Sequence, residues 1–204
     1  MRQLLLLMML FGSLQLASAQ RHSGTLFGHY DVTGAFGSPL VEIDQVAGIN
    51  GTNTGGGGAL VLERIFFGGY GMGGTYDNVD VLINEQMERY DVRIKHGGLW
   101  FGYTPGSHKV IHPYSSLKVG WGSGRLQREG SDTIKDRIFV LQPELGIELN
   151  ITDFFRIAGT ANYRMVSGIT DLANLTNDDF RGFSAGITFR IGGFDEFDWD
   201  DDDW

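Results

Sequence analysis

Regular alternation of apolar and polar residues is the feature that most restricts what this chain can fold into. From Leu141 to Ile151 every odd position is apolar, and the even positions between them carry Gln, Glu, Gly, Glu and Asn. The same period of two returns over 155–165 and again over 183–191. Such a period indicates a β-strand with one apolar and one polar face. Runs of roughly ten residues exceed the usual strand of a soluble sheet, and they match the length with which a tilted strand crosses a bilayer.

Eight strand-like runs can be counted along the chain, and their connections alternate in length. The predicted strands cover roughly 34–45, 55–62, 65–76, 88–103, 109–124, 137–151, 154–168 and 180–194. Long polar connections are predicted at about 46–54, 77–87, 125–136 and 169–179, and short ones at 63–64, 104–108 and 152–153. Long extracellular loops that alternate with short periplasmic turns are typical of outer-membrane barrels. The sequence therefore predicts an all-β fold, an eight-stranded antiparallel up-and-down transmembrane β-barrel.

Two of the predicted strands are less regular than the others. In the first, Pro39 has no N–H to donate, which favours a bulge or a strand end. In the fourth, the apolar register runs through Tyr90, Val92 and Ile94 and then changes phase at Gly97-Gly98. A change of phase predicts a β-bulge at that point, because one extra residue re-aims the side chains that follow.

The first residues have the pattern of an export signal. Arg2 precedes an apolar run that ends in Ala17-Ser18-Ala19, so cleavage by signal peptidase is predicted after Ala19. The predicted organisation is a signal peptide (1–19), an N-terminal periplasmic segment (20–33), the barrel (34–194) and an acidic, aromatic tail (195–204). Cysteine is absent, which excludes a lipoprotein anchor and disulfides. No later segment approaches eighteen consecutive apolar residues, so a helical membrane protein is not expected, and the predicted location is the cell outer membrane.

Charge and glycine content narrow the function classes. The formal net charge is −9, and seven of the 25 acidic residues lie in the tail, so the remainder of the chain is nearly neutral. Nucleic-acid binding requires a basic stripe, and no nucleic-acid partner is expected. The 31 glycines are interleaved with aromatic residues and have no collagen-like period. Glycine in strands permits the curvature and close packing of a small closed barrel.

The polar phase of the strands places charged side chains inside the predicted barrel. Eight strands enclose only enough room for side chains, so we predict a lumen closed by salt bridges rather than an open pore. Buried charges require partners, and a structural role is the plainest interpretation of these residues. The predicted lumen charges are Lys118, Glu144, Glu148, Arg156, Arg164 and Arg190.

Other motifs give little support for chemistry. The Gly69–Gly74 segment formally matches the dinucleotide fingerprint, but it lies within a strand and no helix follows it. His108 and His112 flank the second predicted turn and are expected to be solvated. His112 and Ser116 share one strand face, yet they are about 13 Å apart at 3.3 Å per residue, which is too far for a nucleophile and its base. No catalytic, cofactor-binding or metal-binding residue is predicted, and no cofactor is expected.

Four segments resemble a family of small outer-membrane β-barrel proteins from the Bacteroidota. They are residues 34–41, the glycine-rich hairpin 55–76 and above all residues 142–156, with 163–168 completing the pattern. The resemblance covers most of 34–194 and is confined to barrel-building motifs. It implies the fold and the outer-membrane location, and it implies no substrate.

The predicted function is therefore that of an outer-membrane barrel with a filled lumen, acting as a structural or interaction protein through its extracellular loops or its tail. Phe197, Trp199 and Trp204 stand among acidic residues and form a candidate peptide for docking on a periplasmic protein. Outer-membrane lipid is the other expected partner, and the protein is expected to be a monomer. Two alternatives stay open: a lipid-modifying enzyme such as an acyl hydrolase or acyltransferase, and a soluble lipocalin-like barrel that binds an apolar ligand.

Overall fold

Eight antiparallel strands close into a barrel in the computed structural model, which describes residues 32–83, 85–128 and 133–194. Each strand pairs with its neighbour in sequence, and the last pairs with the first, which confirms the predicted eight-stranded up-and-down barrel. The strands are β1 (Gly34–Val46), β2 (Ile49–Leu62), β3 (Ile65–Ile83), β4 (Gln86–Tyr103), β5 (Ile111–Gln127), β6 (Ile134–Thr152), β7 (Phe155–Ser167) and β8 (Gly182–Phe194). Closure gives every strand two partners, so its backbone polar groups are paired on both sides.

Some of the predicted segments lie outside the described residues. These are the signal peptide 1–19, nearly all of the segment 20–33, and the tail 195–204. Within the described part of the chain, the helical structure is a single 3₁₀ turn, Asn177–Phe180. None of the helical structure described there is long and apolar enough to cross a membrane.

Two of the predicted long connections are wrong, because the chain continues through them as strand. Where a loop is predicted over 46–54, β1 and β2 meet in a two-residue turn at Ala47-Gly48. Both turn residues have positive φ, 50° and 80°, as a tight hairpin with primed turn geometry requires. The predicted loop 77–87 is likewise strand on both sides of residues 84–85. Polar residues suggested loops in these places, but the strands there carry polar side chains on their outer face.

The connections divide the barrel into two ends. One end, termed the loop end, carries the β1–β2, β3–β4, β5–β6 and β7–β8 connections, of which 168–181 is the longest. The opposite end, termed the turn end, carries the β2–β3, β4–β5 and β6–β7 connections. Gly34 and Phe194 are register partners at the turn end, so the barrel begins and closes on that side.

Large apolar side chains on all eight strands face outward and form what we term the belt. Its members include Ile43, Leu60, Phe67, Leu99, Phe101, Leu117, Trp121, Phe139, Leu145, Ile147, Leu149, Met165, Phe183, Ile187 and Ile191, each at least 36% exposed. Soluble monomers rarely expose a contiguous apolar surface of this extent. Ile147 is 56% exposed whereas its neighbour Glu148 is fully buried. This orientation is the reverse of that expected for a lipocalin-like barrel, which would turn its large apolar residues inward.

Beyond the belt, towards the loop end, the polarity of the wall is inverted. Tyr90, Val92 and Ile94 are buried inside the barrel, and Arg93 and Lys95 point outward and are exposed. The bulge predicted at Gly97-Gly98 is therefore wrong, since β4 pairs without a register shift at that point. The apparent change of phase arises because the strand leaves the belt, so that its outer face becomes polar while its inner face becomes apolar. The irregularity in this hairpin lies instead in β3, between Tyr76 and Val79.

The interior is apolar near each end. At the loop end, a cluster that includes Val92, Leu126 and Ile138 is joined by side chains from the 168–181 connection, among them Leu172 and Phe180. This connection is fixed to the barrel wall by Asp136, whose Oδ2 accepts hydrogen bonds from the backbone N–H groups of residues 170 and 171 at 2.8 and 2.7 Å. At the turn end a second cluster is largely aromatic and includes Phe36, Phe66, Trp100, Tyr114 and Phe194. The buried charges lie between and beside these clusters.

Candidate functional site

The structure places all six predicted lumen charges inside the barrel. Their exposed fractions are 0% for Lys118, 2% for Glu144, 0% for Glu148, 6% for Arg156, 2% for Arg164 and 1% for Arg190. They separate into three clusters, and each cluster contains at least one cation and one carboxylate. Because a buried charge is tolerated only when it is paired, the partners of each group decide what the interior can do.

The turn-end cluster is built around Glu148. Arg190 donates from Nη1 to both carboxylate oxygens of Glu148, at 2.8 and 2.7 Å. Nε2 of His112 lies 3.0 Å from Oε1 of Glu148, and Nη1 of Arg156 lies 3.7 Å from the same atom. The Arg190 guanidinium also sits over the ring of Phe36, 4.0 Å from its centroid, and that of Arg156 over Phe194 at 4.1 Å. Charge pairing and cation–π contacts thus act together at this end.

The central cluster crosses the lumen. Lys118 on β5 donates from Nζ to Glu144 on β6 at 2.9 Å and to Glu42 on β1 at 2.6 Å. In a ring of eight strands β1 and β5 lie on opposite sides, so this ion pair spans the interior. Gln142 donates to the second oxygen of Glu42 at 2.8 Å, and the Ser116 hydroxyl donates to Glu144. These side chains join three strands across the middle of the barrel.

The loop-end cluster is built around Asp44 and Arg164. Arg164 on β7 donates to Asp44 on β1, and Tyr76 on β3 donates from its hydroxyl to Asp44 Oδ1 at 2.5 Å. Asn53 on β2 donates from Nδ2 to Oδ2 of Asp44 at 2.8 Å. Arg164 also donates from Nε to the backbone carbonyl of Phe180 at 2.9 Å. The cluster therefore fastens the long connection to four strands.

Sequence reasoning missed the two acids of β1 that complete these clusters, Glu42 and Asp44. Both are buried, with exposed fractions of 4% and 5%. The signal that could have found them is the parity of β1, because every even residue from Phe36 to Val46 is buried. Pro39 obscured that parity because it predicted a bulge or a strand end, and that prediction is wrong, since β1 passes through Pro39 without a register shift against β2.

His112 was predicted to be solvated, and that prediction is wrong. It is 2% exposed and is the direct register partner of Glu148 on β6. Its Nδ1 lies 3.1 Å from the backbone carbonyl of Lys109, so both ring nitrogens contact protein oxygen atoms. β5 begins at Ile111, and the even residues that follow face the lumen, which places His112 inside. His108, in the connection that precedes β5, is exposed as predicted.

The polar interior holds its groups in mutual contact rather than offering them to a substrate. His112 contacts Glu148, whereas Ser116 donates to Glu144, so the nucleophile and base considered from the sequence belong to different clusters. Over residues 32–83, 85–128 and 133–194, no group of three metal-ligating side chains is positioned to hold an ion. The three interior clusters can hold the barrel wall in a round cross-section, because each cluster connects strands that are not neighbours in the sheet.

These features define a class: a small barrel of the outer-membrane type whose interior is filled by its own side chains. No protein-family model and no curated protein matches the sequence. Among solved structures, the chain is similar to Neisserial surface protein A (NspA), with 12% identity over 78% of this chain and 94% of that chain and a TM-score of 0.54. It also matches Ail, the attachment invasion locus protein of Yersinia pestis, with 14% identity over 79% and 97% of the two chains and a TM-score of 0.42. The likeness to NspA concerns the fold alone.

Proposed function

We propose that this chain is an integral protein of the outer membrane, with a structural or interaction role. The observation that carries the proposal is the belt, because large apolar side chains face outward on all eight strands while the ionic side chains are paired inside. A lipid-facing wall must be apolar, and a closed barrel is the β-structure that satisfies its backbone in hydrocarbon.

The topology favours one orientation in the membrane. Turns in outer-membrane barrels are short on the periplasmic side, and loops are longer outside the cell. The turn end carries the connections 63–64, 104–110 and 153–154. The loop end carries the longest connection, 168–181, and its β1–β2 and β3–β4 hairpins extend beyond the belt although two-residue connections close them. We therefore assign the turn end to the periplasm and the loop end to the cell exterior.

The closed interior favours an interaction role and argues against transport of solutes through the barrel. The Lys118–Glu42 ion pair crosses the middle of the lumen, and the connection 168–181 packs into the loop end of the barrel. Opening a path would require separation of buried ion pairs, each of which is costly to break. The surfaces available to partners are then the outer wall beyond the belt, the loop-end connections and the tail 195–204.

We also propose that the chain belongs to the Bacteroidota family of small outer-membrane barrels that its sequence resembles. Support for it comes from the residues 142–156, which form the turn-end half of β6 and the start of β7. The same segment supplies Glu144, Glu148 and Arg156 to the interior clusters. A shared barrel-building motif fits a scaffold whose surface, rather than its interior, is available for partners.

Membrane extraction tests the proposal directly. When cells that express the full chain are lysed and their membranes are washed in alkaline carbonate, we expect the protein to stay in the pellet, because the belt requires hydrocarbon contact. A periplasmic soluble protein and a known integral barrel serve as the two controls in the same fractions. Release of most of the chain into the carbonate supernatant would overturn the membrane assignment.

The tail is a proposed site for a periplasmic protein partner, through Phe197, Trp199 and Trp204. A chain that lacks residues 195–204 is expected to insert normally and to lose at least one protein that copurifies with the full chain after mild crosslinking. A matched control keeps all seven acids and replaces the three aromatic residues by serine. An identical set of crosslinked proteins for the full chain and both variants would remove the tail from the proposal.

A further inference from the structure

We propose that the outer wall at the loop-end edge of the belt binds the phosphate headgroup of an anionic glycolipid of the outer leaflet. The inference rests on the proposed membrane location and orientation, and it assigns a binding site to one part of the surface. The site consists of five cations, Arg93, Lys95, Arg125, Lys135 and Arg137, which we term the basic patch, and of a groove beside them.

The register of β4, β5 and β6 brings these cations together. Arg93 is directly opposite Arg125, and Arg125 is directly opposite Lys135, so three cations form one row across three strands. In the next row, Ser123 stands between Lys95 and Arg137. Neighbouring strands lie about 4.8 Å apart, so the whole patch is only about 10 Å wide at the backbone.

The cations of the basic patch form no ion pairs with acidic side chains in the described part of the chain. None of its five cations has an ion-pair partner or a side-chain hydrogen bond among residues 32–83, 85–128 and 133–194, and Nε of Arg125 is buried without a hydrogen-bond partner there. Other exposed cations near the loop end do have acidic partners: Arg128 pairs with Glu88, and Arg181 with Asp178. Like charges directly opposite each other destabilise a sheet, so an external anion is the natural complement of this arrangement.

The position of the patch selects a lipid headgroup as that anion. The row nearest to it contains Trp121 and Phe139, whose rings form an edge-to-face pair with centroids 5.8 Å apart. Outward-facing aromatic residues mark the interface between hydrocarbon and headgroups in outer-membrane barrels. The cations therefore begin one residue pair beyond the hydrocarbon edge, at the level where lipid phosphates lie. Guanidinium groups bind phosphate oxygens with two parallel hydrogen bonds.

A groove of about 780 Å³ on the outer wall continues from the patch towards the belt. Its lining includes Arg93, Lys95 and Arg125, and Gly71 and Trp121 line it one row nearer the belt. A Cβ added at Gly71 would meet no atom within 4 Å, so strand packing does not require glycine at that position. The missing side chain leaves a concave wall on which part of the lipid can lie while its phosphate is held by the cations.

Native mass spectrometry of the folded full chain in neutral detergent tests the site. The probes are bisphosphorylated lipid A, the same lipid after removal of both phosphates, and inorganic phosphate as a competitor. We expect the bisphosphorylated lipid to bind at least about tenfold more tightly than the dephosphorylated one, in line with the attraction of surface cations to anionic lipid. Equal binding of the two lipids would overturn the inference, as would full displacement by millimolar inorganic phosphate.

Two variants connect the binding to these residues. R93Q/R125Q should lose about tenfold in affinity for the bisphosphorylated lipid, and G71L should lose affinity by filling the groove. The control R64Q/K109Q removes two exposed cations at the turn end and should bind as the unmodified chain does. Folding is checked by the mobility of unheated samples in gels, and R93Q/R125Q should fold at least as well, because it removes a like-charge pair.

Unchanged binding by R93Q/R125Q would overturn the inference, even if the protein remains in carbonate-washed membranes. Loss of the protein from those membranes would instead overturn the proposed function. The two failures are therefore distinguishable.

Discussion

Replacement of Glu148 by glutamine is expected to lower the free energy of unfolding by about 3–5 kcal/mol, the effect of breaking a buried ion pair by removing one partner. Glu148 is fully buried, and its carboxylate is shared by Arg190, Arg156 and His112. The substitution keeps the size of the side chain, so the loss reports on charge rather than on packing. Denaturant titration of the refolded protein in detergent, followed by tryptophan fluorescence and by gel mobility, measures it.

A matched substitution at the surface separates this effect from the general loss of a carboxylate. Glu88→Gln breaks the Arg128–Glu88 pair, which is partly exposed at the loop end, and we expect a change of less than about 1 kcal/mol. The double variant E148Q/R190M should recover part of the loss, because a buried pair replaced on both sides leaves fewer uncompensated charges. Equal effects of Glu148→Gln and Glu88→Gln would show that the interior pairs do not hold the barrel together.

Replacement of Leu145 by arginine is expected to destabilise the inserted barrel by about 2–4 kcal/mol, the range for a cation on the lipid face near the bilayer midplane. Leu145 is 70% exposed and lies midway along the outward apolar residues of β6, which run from Phe139 to Ile151. In water this substitution at an exposed site would be nearly neutral. The stability difference between wild type and variant in lipid vesicles therefore shows whether Leu145 faces lipid or water.

The control for this experiment is Leu82→Arg. Leu82 is also exposed, at 43%, but it lies on the part of β3 that extends beyond the belt. We expect its replacement to change stability by less than about 1 kcal/mol, because the adjacent outward row already carries the charged pair Asp80 and Arg89. If both arginine variants were equally stable, Leu145 would not face hydrocarbon.

The part of the chain with strict alternation allowed the fold and most of the interior to be predicted. On β6, β7 and β8 a single parity places Glu148, Arg156 and Arg190 inward and Ile147 and Ile187 outward, and the structure has this arrangement. Parity is informative there because the outward face is apolar over most of the length of these strands. Any slip by one residue would turn every side chain to the wrong face.

The front half of the chain could not be predicted as well, since its strands extend beyond the belt. At Tyr90, Val92 and Ile94 the apolar face is the inner one, so an apolar residue no longer indicates lipid. The same inversion made the polar residues of 46–54 and 77–87 resemble loops. Glu42 and Asp44 were missed for a related reason, because β1 has glycine, proline and serine near its middle and little contrast between faces. Long-range pairing such as Lys118 with Glu42 cannot be read from a local pattern at all.

Accessibility of spin labels along β6 tests the central claim most directly, and the absence of cysteine from the chain makes single labels simple to introduce. Labels on Leu145→Cys, Ile147→Cys and Leu149→Cys in lipid vesicles should collide often with oxygen and rarely with a water-soluble nickel chelate. A label on Lys135→Cys, on the same outward face beyond the belt, should show the opposite preference. Collision with the nickel chelate at Leu145 and Ile147 as frequent as at Lys135 would contradict a lipid-facing belt around a charge-filled barrel.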